Sequence, residues 1–419
     1  MNDKERWLGP CPSTAEYMFQ ITTAGFDDLQ KARKALYDDE GDGAKRIPKT
    51  WSAKPAAALI GKSDSWLRTK DPDNPLRNAS GHTVWTLERL LRVAEDEGAL
   101  YKRPDGSSCI VLSMAKFKGG VGISTATCHL AHGLAMRGLK VLCVDMDPQA
   151  SMTQVLASLV PDDDLIEEDL PIDALINDPA LIATSGIVRQ TFFTGVDIVP
   201  SNTYLNKVDA HLSMCMSNGE IADESGLMPA ERLDAMLEVV KPSYDVILVD
   251  CPPNLGSLTT NALYAADGLI TCIRPELFDR SSLISFTESV GWFSENSKKE
   301  LDYFRILLSQ SSDSAASIGP ANARATQEGN KKNNQERNHL RNELMIRDLY
   351  GDAVMMNNMK SSKAISEAVS NFNTVFSMIK PQTTRPTWER GIQVASAVVE
   401  EVYEDLKLIW SRQVEGLND

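Results

Sequence analysis

The first regular pattern of apolar residues along the chain has the spacing of an α-helix. Between Ser13 and Leu36, apolar side chains recur at roughly helical intervals, at Met18, Ile21, Leu29, Ala32 and Leu36. This spacing predicts one long helix with Ser13 or Thr14 as its N-cap. The acidic, glycine-containing residues 38–43 then interrupt the pattern and predict a linker. We expect residues 1–44 to form a helical segment that either packs on its own domain or mediates dimerisation.

The next segment, residues 45–105, combines short helical patterns with one short strand. A helix is expected from Pro55 to Ile60, and a second from Ser63 to about Lys70 follows a turn at Gly61. Turns rich in Pro and Asn, a strand over residues 83–85 and a further helix come next. This order predicts a winged helix-turn-helix domain in which residues 77–82 form the wing.

The second helix of that segment is the expected DNA-recognition helix. The side chains predicted to project from it into a major groove are Ser63, Ser65, Trp66, Arg68 and Lys70. A small helical domain with a purely structural role gives the same pattern. Charge favours DNA binding, because residues 45–105 carry twelve Lys and Arg against eight Asp and Glu in a chain of net charge -15.

After residue 105, apolar runs of strand length alternate with helical patterns. Strands are expected at residues 109–115, 140–145, 196–199, 245–250, 268–273 and 304–309, and a helix at 124–137. Continuous apolar strands of this kind belong to a parallel sheet covered on both faces, so residues 106–419 predict a doubly wound α/β domain. Residues 310–334 lack an apolar period and predict a loop, with a small polar helix as the alternative. Residues 388–409 predict a helix that packs on the sheet.

Composition narrows the class of protein. The chain has 419 residues, 42% of them hydrophobic, which suffices for two or three domains with buried cores. Its seven cysteines are odd in number, scattered and never closely paired, which argues against a disulfide framework or a zinc site. The charged N-terminus lacks an apolar leader, and the other apolar runs have strand length. We therefore expect a cytoplasmic protein.

A glycine-rich loop follows the first predicted strand. Residues 110–125 run from the apolar strand through Lys118, Gly119, Gly120, Val121 and Gly122 into a helix that starts near Ser124. Glycines let backbone N–H groups approach phosphate oxygens, and the N-terminus of the helix adds a favourable dipole. The segment therefore predicts an anion-binding loop, although three glycines can also serve a simple turn.

Two further strands end in carboxylates. Residues 141–144 lead into Asp145 and Asp147, and residues 246–249 lead into Asp250. Ligands of open α/β sheets bind at the carboxyl ends of the strands. A carboxylate there can hold magnesium through a water or a serine. A single aspartate that ends a strand often only caps a turn, but the glycine loop followed by two such strand ends, in this order, predicts one shared ligand site.

These residues resemble the ParA family of partition ATPases, part of the MinD/ParA superfamily with a deviant Walker A motif. The resemblance covers about residues 110–409 and is most specific at residues 118–122, 145–149 and 250–253. The preceding domain is similar to that of the larger plasmid subgroup, which also represses its own operon. The resemblance implies a P-loop NTPase fold with ATP or ADP and Mg²⁺ bound at Lys118, Gly119, Gly120, Val121, Gly122, Ile123, Ser124 and Thr125.

The same resemblance implies a role for each matching side chain. Lys118 corresponds to the signature lysine that reaches the partner's phosphates across a homodimer, and Thr125 to the residue beside the α-phosphate. Ser124 and Asp250 correspond to the magnesium site. Asp147 corresponds to the carboxylate that positions the attacking water, and Asp145 assists from the same strand end.

Ile123 departs from the family pattern. It occupies the position of the P-loop lysine that contacts the β- and γ-phosphates. An aliphatic side chain loses charge-assisted bonds of roughly 1.5–3 kcal/mol each, so we expect impaired turnover. Three explanations fit: a deliberate substitution that traps the nucleotide state, natural loss of hydrolysis, or slow hydrolysis with Lys118 alone. We favour the first, because the other expected groups persist and one base change converts a lysine codon to isoleucine.

The resemblance also implies partners: a second copy of the chain, operator and nonspecific DNA, and a ParB-like centromere-binding protein, in a bacterial, nucleoid-associated setting. Basic residues proposed for the nonspecific DNA surface are Lys360, Lys363, Lys380, Arg385 and Arg390, which alternatively form only a solvated face. A nucleotide-responsive repressor without hydrolysis is the competing hypothesis. A metabolic P-loop enzyme is a third, but it leaves the helix-turn-helix unexplained.

Overall fold

A computed structural model provides the structure of the chain. It describes residues 13–38, 48–116, 118–157, 159, 161–218, 226–311, 331–379 and 381–416, with the side chains of residues 26, 29–30, 32–38, 278 and 331–338 left undescribed. Nearly all of the predicted linker at 38–43 and most of the predicted loop at 310–334 lie outside these residues. The chain divides into two compact units, Met1–Pro48 and Lys49–Asp419.

The described part of the first unit is the predicted long helix, α1 (Thr14–Asp38). Ser13 caps it, since its hydroxyl accepts a hydrogen bond from the backbone N–H of Glu16 at 3.2 Å. Met18, Phe19 and Ile21 are 51%, 71% and 50% exposed, so these three apolar side chains are largely uncovered. The role of α1 in packing or dimerisation stays a prediction.

The second unit begins with a small helical region. Its elements are β1 (Thr50–Ser52), α2 (Ala53–Leu59), α3 (Asp64–Lys70), β2 (Val84–Thr86) and α4 (Leu87–Asp96). The predicted helices are confirmed to within two residues at each end. Strand β1 was not predicted; it pairs antiparallel with β2. The turn between α2 and α3 uses Gly61 in the left-handed region, at φ +64°.

A buried carboxylate holds this helical region together. Asp71 accepts hydrogen bonds from Trp85 Nε1 at 2.7 Å and from Arg89 Nε at 2.8 Å. Trp85 is 1% exposed and lies in a local hydrophobic cluster with Leu67 and Leu90. The region therefore has a core of its own, and Trp51 and Leu59 extend its contacts to the main core of the unit.

The main sheet of the described residues has seven strands in the order β5-β6-β4-β7-β3-β8-β9. The strands are β3 (Ile110–Ala115), β4 (Val141–Asp145), β5 (Arg189–Gln190), β6 (Val196–Val199), β7 (Val246–Asp250), β8 (Gly268–Ile273) and β9 (Tyr303–Leu308). All neighbours are parallel except the short edge strand β5, which was not predicted. The predicted mostly parallel sheet is confirmed.

Helices cover both faces of this sheet. They are α5 (Ile123–Ala135), α6 (Ser151–Ala157), α7 (Pro161–Asp164), α8 (Ile172–Ile176), α9 (Leu181–Thr184), α10 (Leu205–Asn218), α11 (Arg232–Val240), α12 (Ser257–Ala265), α13 (Leu277–Ser297), α14 (Lys331–Tyr350), α15 (Lys363–Ser370) and α16 (Arg385–Glu415). The predicted loop at 310–334 is wrong over residues 331–334, which begin α14. The polar helix given as the alternative is what matches there, since Lys, Gln, Glu and Arg favour a helix even without an apolar period.

The two cores follow from the alternation of side chains along the strands. On β3, Ile110, Leu112 and Met114 join a cluster with α5 and α16, whereas Val111 and Ala115 join a cluster with α10, α11 and α12. The predicted C-terminal helix therefore packs as expected. Of the helices in the described ranges, none has an apolar stretch of sufficient length to cross a membrane.

Two histidines are buried behind the glycine loop. The ring of His129 has its Nδ1 2.7 Å from the carbonyl of Thr125, and its Nε2 accepts a bond from the backbone N–H of Val375. His132 Nδ1 lies 2.6 Å from Thr374 Oγ1. Burial lowers the pKa of His129 to about 4 and that of His132 to about 3. Both rings are therefore neutral at pH 7 and join α5 to the segment before α16.

This burial predicts an acid-sensitive fold. The unfolded histidines titrate near 6.5, so between about pH 6.5 and 4 the unfolded chain binds protons that the folded chain does not. Stability is lost as pH falls through that window. In urea unfolding, we expect native protein to lose about 2 kcal/mol more between pH 7 and pH 5 than His132→Gln, which lacks one such group. Equal losses in the two proteins contradict this assignment.

Candidate nucleotide site

Three strand ends meet at the carboxyl edge of the sheet. Strand β7 lies between β3 and β4, and Asp250 pairs in register with Met114 on one side and Asp145 on the other. The glycine loop continues from β3 beyond Ala115. The structure therefore brings together the loop and the two aspartate-ending strands, as expected for a ligand site of an open α/β sheet.

The glycine loop has the backbone of an anion cradle. Gly120 and Gly122 adopt φ +76° and +79°, and Gly122 precedes the first turn of α5. A Cβ atom added at Gly119 or Gly120 meets nothing within 4 Å, so the space beside these two glycines is open. Gln310, at the end of β9, donates a hydrogen bond from Nε2 to the carbonyl of Gly120 at 3.0 Å.

Ile123 does not face this open space. It is the first residue of α5, is 1% exposed and belongs to the same hydrophobic cluster as Met114 and Val121. Ser124 and Thr125 follow it and are half-buried. Ile123 thus contributes apolar packing to the core and supplies no charge to the glycine loop.

Asp145 is a fully buried carboxylate with hydrogen-bond partners. Its Oδ2 accepts from the backbone N–H and the hydroxyl of Thr153 at 2.8 and 2.7 Å, and its Oδ1 accepts from the N–H of Asp147 at 3.2 Å. Burial, followed by the nearby charge of Asp250, raises the pKa of Asp145. These partners give Asp145 a structural role at the strand end in addition to any catalytic one.

Asp250 is buried to the same extent and lacks such partners. Neither of its oxygens accepts a hydrogen bond of ordinary geometry in the described residues, although Ser124 lies close enough to lower its pKa and so does Lys116. Burial outweighs both and raises the pKa of Asp250. A buried carboxylate that accepts no hydrogen bond of ordinary geometry and lies beside a serine hydroxyl fits a hard divalent cation.

Asp147 lies beside a lysine from the loop. The ammonium of Lys116 is 3.6 Å from Asp147 Oδ2, and both side chains are less than 10% exposed. Asp147 Oδ1 also accepts from the N–H of Gln149 at 3.0 Å. The site therefore contains a buried ion pair that the sequence reasoning did not predict.

Lys118 is bound within its own chain. Its ammonium donates to Asp279 Oδ1 at 2.6 Å, and Arg274 Nε donates to Asp279 Oδ2 at 2.9 Å. Asp279 is 1% exposed, and it lies in the first turn of α13, just after β8. Sequence reasoning missed Asp279 and Arg274, and the signal that points to them is their position after a strand that ends at the same edge.

The predicted DNA-reading residues lie on or next to α3, with different surroundings. Ser63 caps the helix by accepting from the N–H of Trp66 at 3.1 Å, and Trp66 packs partly against the local cluster. Lys70 pairs with Glu97 at 2.5 Å. Ser65 and Arg68 are exposed. Of the five, Ser65 and Arg68 are the most available to a ligand.

Known proteins match this chain over the candidate site and over most of its length. A model of the AAA domain matches residues 109–303. A putative replication protein A from Rhizobium rhizogenes is 28% identical over 381 residues, 87% of this chain and 88% of that protein. Protein SopA of Escherichia coli K12 is 26% identical over 404 residues, 93% of this chain and 97% of SopA.

A shorter relative is more similar over the nucleotide domain. The sporulation initiation inhibitor protein Soj of Bacillus subtilis is 31% identical over 198 residues, which cover 47% of this chain and 71% of Soj. The chain belongs to the ParA family. The resemblance drawn from the glycine loop and the strand ends is thereby confirmed.

Solved structures show that the ParA-family chain shares its fold with other proteins. A structure described as a partition protein has a TM-score of 0.61 at 15% identity and covers 93% of this chain and 98% of its own. The complex of Cyanothece McdA(D38A) with ATP has a TM-score of 0.54 at 17% identity and covers 71% and 97% of the two chains. The P-loop type of the predicted sheet is confirmed.

Asp250 and Asp145 of the ParA-family site differ in their hydrogen bonding, and this difference can be tested by measuring stability. We expect Asp250→Asn to raise the free energy of unfolding by about 1 kcal/mol or more, because it removes a buried charge that no hydrogen bond of ordinary geometry from the described residues compensates. Asp145→Asn is the matched control and lowers it by about 1 kcal/mol, because an amide cannot accept all three existing bonds. Urea unfolding without nucleotide or magnesium measures both. A loss of stability in both variants contradicts a ligand role for Asp250.

Proposed function

We propose that this ParA-family chain is a plasmid partition ATPase that binds ATP with Mg²⁺ at residues 118–125 and dimerises on binding it. Asp250 carries the proposal, because it is buried without a hydrogen bond of ordinary geometry from the described part of the chain, beside Ser124 and a loop whose Gly119 and Gly120 adjoin open space. The ATP complex of McdA, which shares the fold, supports nucleotide binding at this edge.

The side chains present fit a magnesium–nucleotide complex. Ser124 and Asp250 would hold the magnesium side, and the N–H groups of the loop and the N-terminus of α5 would hold phosphate oxygens. Thr125 would lie beside the α-phosphate. When bound, Mg²⁺ supplies neutralisation of charge on the phosphates.

The remaining roles concern hydrolysis and dimer closure. Asp147 would position the attacking water, with Asp145 holding the backbone of the same strand end through its bond to the Asp147 N–H. Lys118 would leave Asp279 and reach the phosphates of a second copy, since the contact to Asp279 is partly exposed on the lysine side.

Turnover in this proposal is impaired by Ile123. Lys at the first position of α5 would restore charge-assisted bonds to the β- and γ-phosphates. We therefore expect Ile123→Lys to raise ATP hydrolysis per folded molecule at least about tenfold, the rate equivalent of roughly 1.4 kcal/mol. Phosphate release measures the rate.

Ile123→Leu is the matched control, because it keeps an apolar side chain of the same volume and is expected to leave the rate unchanged. Equal turnover in native protein and Ile123→Lys would show that the apolar residue is harmless. A gain with leucine as large as with lysine would assign the effect to packing instead of charge.

We propose further that residues 45–105 bind operator DNA and that the chain represses its own operon. The exposed Ser65 and Arg68 on α3 support a groove-reading face, and the short β1–β2 pair beside α4 suits a winged domain. SopA and the putative replication protein A of R. rhizogenes match 93% and 87% of the chain, more than the nucleotide domain alone. The proposal includes two further partners, a ParB-like protein and nonspecific DNA. Nonspecific DNA would bind near Lys360, Lys363, Arg385 and Arg390. The fifth basic residue of the predicted surface, Lys380, lies outside the described residues.

Arg68 gives the sharpest test of DNA reading. We expect Arg68→Ala to weaken binding to DNA from the region upstream of the chain's own gene by about 1–3 kcal/mol, because a bidentate guanidinium contact to a base is lost. Fluorescence anisotropy at fixed salt measures this. Lys54→Ala, an exposed cation on α2, is the control and changes affinity little. Equal binding by native protein and Arg68→Ala contradicts α3 as the reading helix.

The burial of Ile123 favours one second candidate. A repressor that binds nucleotide without hydrolysing it needs no cation at position 123. Two results together identify this function: operator binding by the native protein changes with ATP or ADP, and the native protein releases no phosphate either with or without DNA. DNA-stimulated phosphate release identifies the partition ATPase.

A further inference from the structure

Lys116 has an unusual position for a loop lysine. It directly follows β3, two residues before Lys118, and is 7% exposed. Its ammonium lies 3.6 Å from Asp147 Oδ2, and its positive charge lowers the pKa of Asp250. The cation therefore lies at the edge where β4 and β7 end, inside the proposed nucleotide site and not on the protein surface.

A buried ammonium is costly unless anions surround it. At 3.6 Å the contact with Asp147 is an ion pair without a hydrogen bond, because N–H···O bonds require about 2.7–3.2 Å. Lysine carries three N–H donors on a flexible stem. Lys116 is thus held by electrostatic attraction and keeps donors for another anion that enters the site.

Neither position 123 nor Lys118 places a positive charge at this site in the structure. Position 123 is an apolar residue packed in the core, and the ammonium of Lys118 is bound to Asp279 at 2.6 Å. A triphosphate in the cradle needs a cation near its β- and γ-phosphates. Among the described lysines of residues 116–125, Lys116 is the one whose ammonium lies among the carboxylates of the site.

We propose that Lys116 is a phosphate-binding residue that supplies, from the start of the loop, the positive charge that Ile123 does not. This rests on the proposed binding of ATP at residues 118–125. The ammonium is shared between Asp147 and the nucleotide phosphates, so nucleotide binding loosens its hold on Asp147. Asp147 then has an oxygen available to orient water.

Substitution of one cation for another has a specific signature. Suppose that Lys116 and a lysine at position 123 each supply the cation that binds the phosphates. Removal of Lys116 then weakens ATP binding strongly when position 123 is isoleucine and weakly when it is lysine. A merely structural role for Lys116 costs the same in both backgrounds, because the ion pair with Asp147 is lost in each.

The experiment is calorimetric titration with ATP and Mg²⁺ of native protein, Lys116→Met, Ile123→Lys and the double variant. We expect Lys116→Met to weaken binding at least about tenfold in the native background and less than roughly threefold in the Ile123→Lys background. Lys140→Met is the matched control, an exposed lysine before β4 at the opposite edge of the sheet, and leaves affinity unchanged. Thermal unfolding without nucleotide verifies that each protein is folded; Lys116→Gln replaces Lys116→Met if the latter does not fold.

Each outcome has one meaning. Equal losses in the two backgrounds, or no loss in the native background, overturn the role of Lys116 while ATP binding by native protein leaves the proposed function standing. Failure of native protein to bind ATP when Ile123→Lys binds it overturns both the role of Lys116 and ATP binding by the native chain. Failure of every folded variant to bind ATP overturns the nucleotide site itself.

Discussion

The burial of three carboxylates side by side at one edge of a parallel sheet is the constraint on which the rest of the structure depends. Asp145, Asp147 and Asp250 are each no more than 5% exposed. Like charges in a low dielectric repel strongly, so such a cluster persists only if protons, cations or donors balance it. The fold supplies that balance differently at each residue.

Asp145 is balanced by donors from Thr153 and from the backbone, and Asp147 by the ammonium of Lys116. Asp250 is left without an ordinary hydrogen bond, and burial raises its pKa. Of the three carboxylates, Asp250 is therefore the one whose negative charge is least compensated, and it lies next to Ser124 and the open loop. Burial of a carboxylate without a hydrogen bond of ordinary geometry costs stability, and such a cost is typical of a binding site.

Much of this site was predictable because its signals are local. A continuous apolar run that ends in aspartate marks β4 and β7, and glycines after β3 mark the loop, so the meeting of the three strand ends follows from parallel pairing alone. The cap at Ser63 and the helices around Gly61 are local as well.

The parts that escaped prediction depend on long-range placement. The contact of Lys118 with Asp279 joins residues 161 positions apart and requires β8 to lie beside β3, a strand order that apolar patterns do not encode. The pairing of Lys116 with Asp147 depends on which way a flexible side chain turns. Strands β1 and β5 are too short for a periodic signal, and α14 begins in polar sequence without an apolar period, which patterns alone leave as a loop or a polar helix.

The central claim is that the edge with Asp250 is an incomplete site that a magnesium–nucleotide complex completes. Calorimetric titration of the native chain with ATP, in the presence and absence of Mg²⁺, tests it most directly. The account predicts saturable binding of one nucleotide per chain that Mg²⁺ tightens. Absence of binding, or binding of equal strength with and without Mg²⁺, contradicts it.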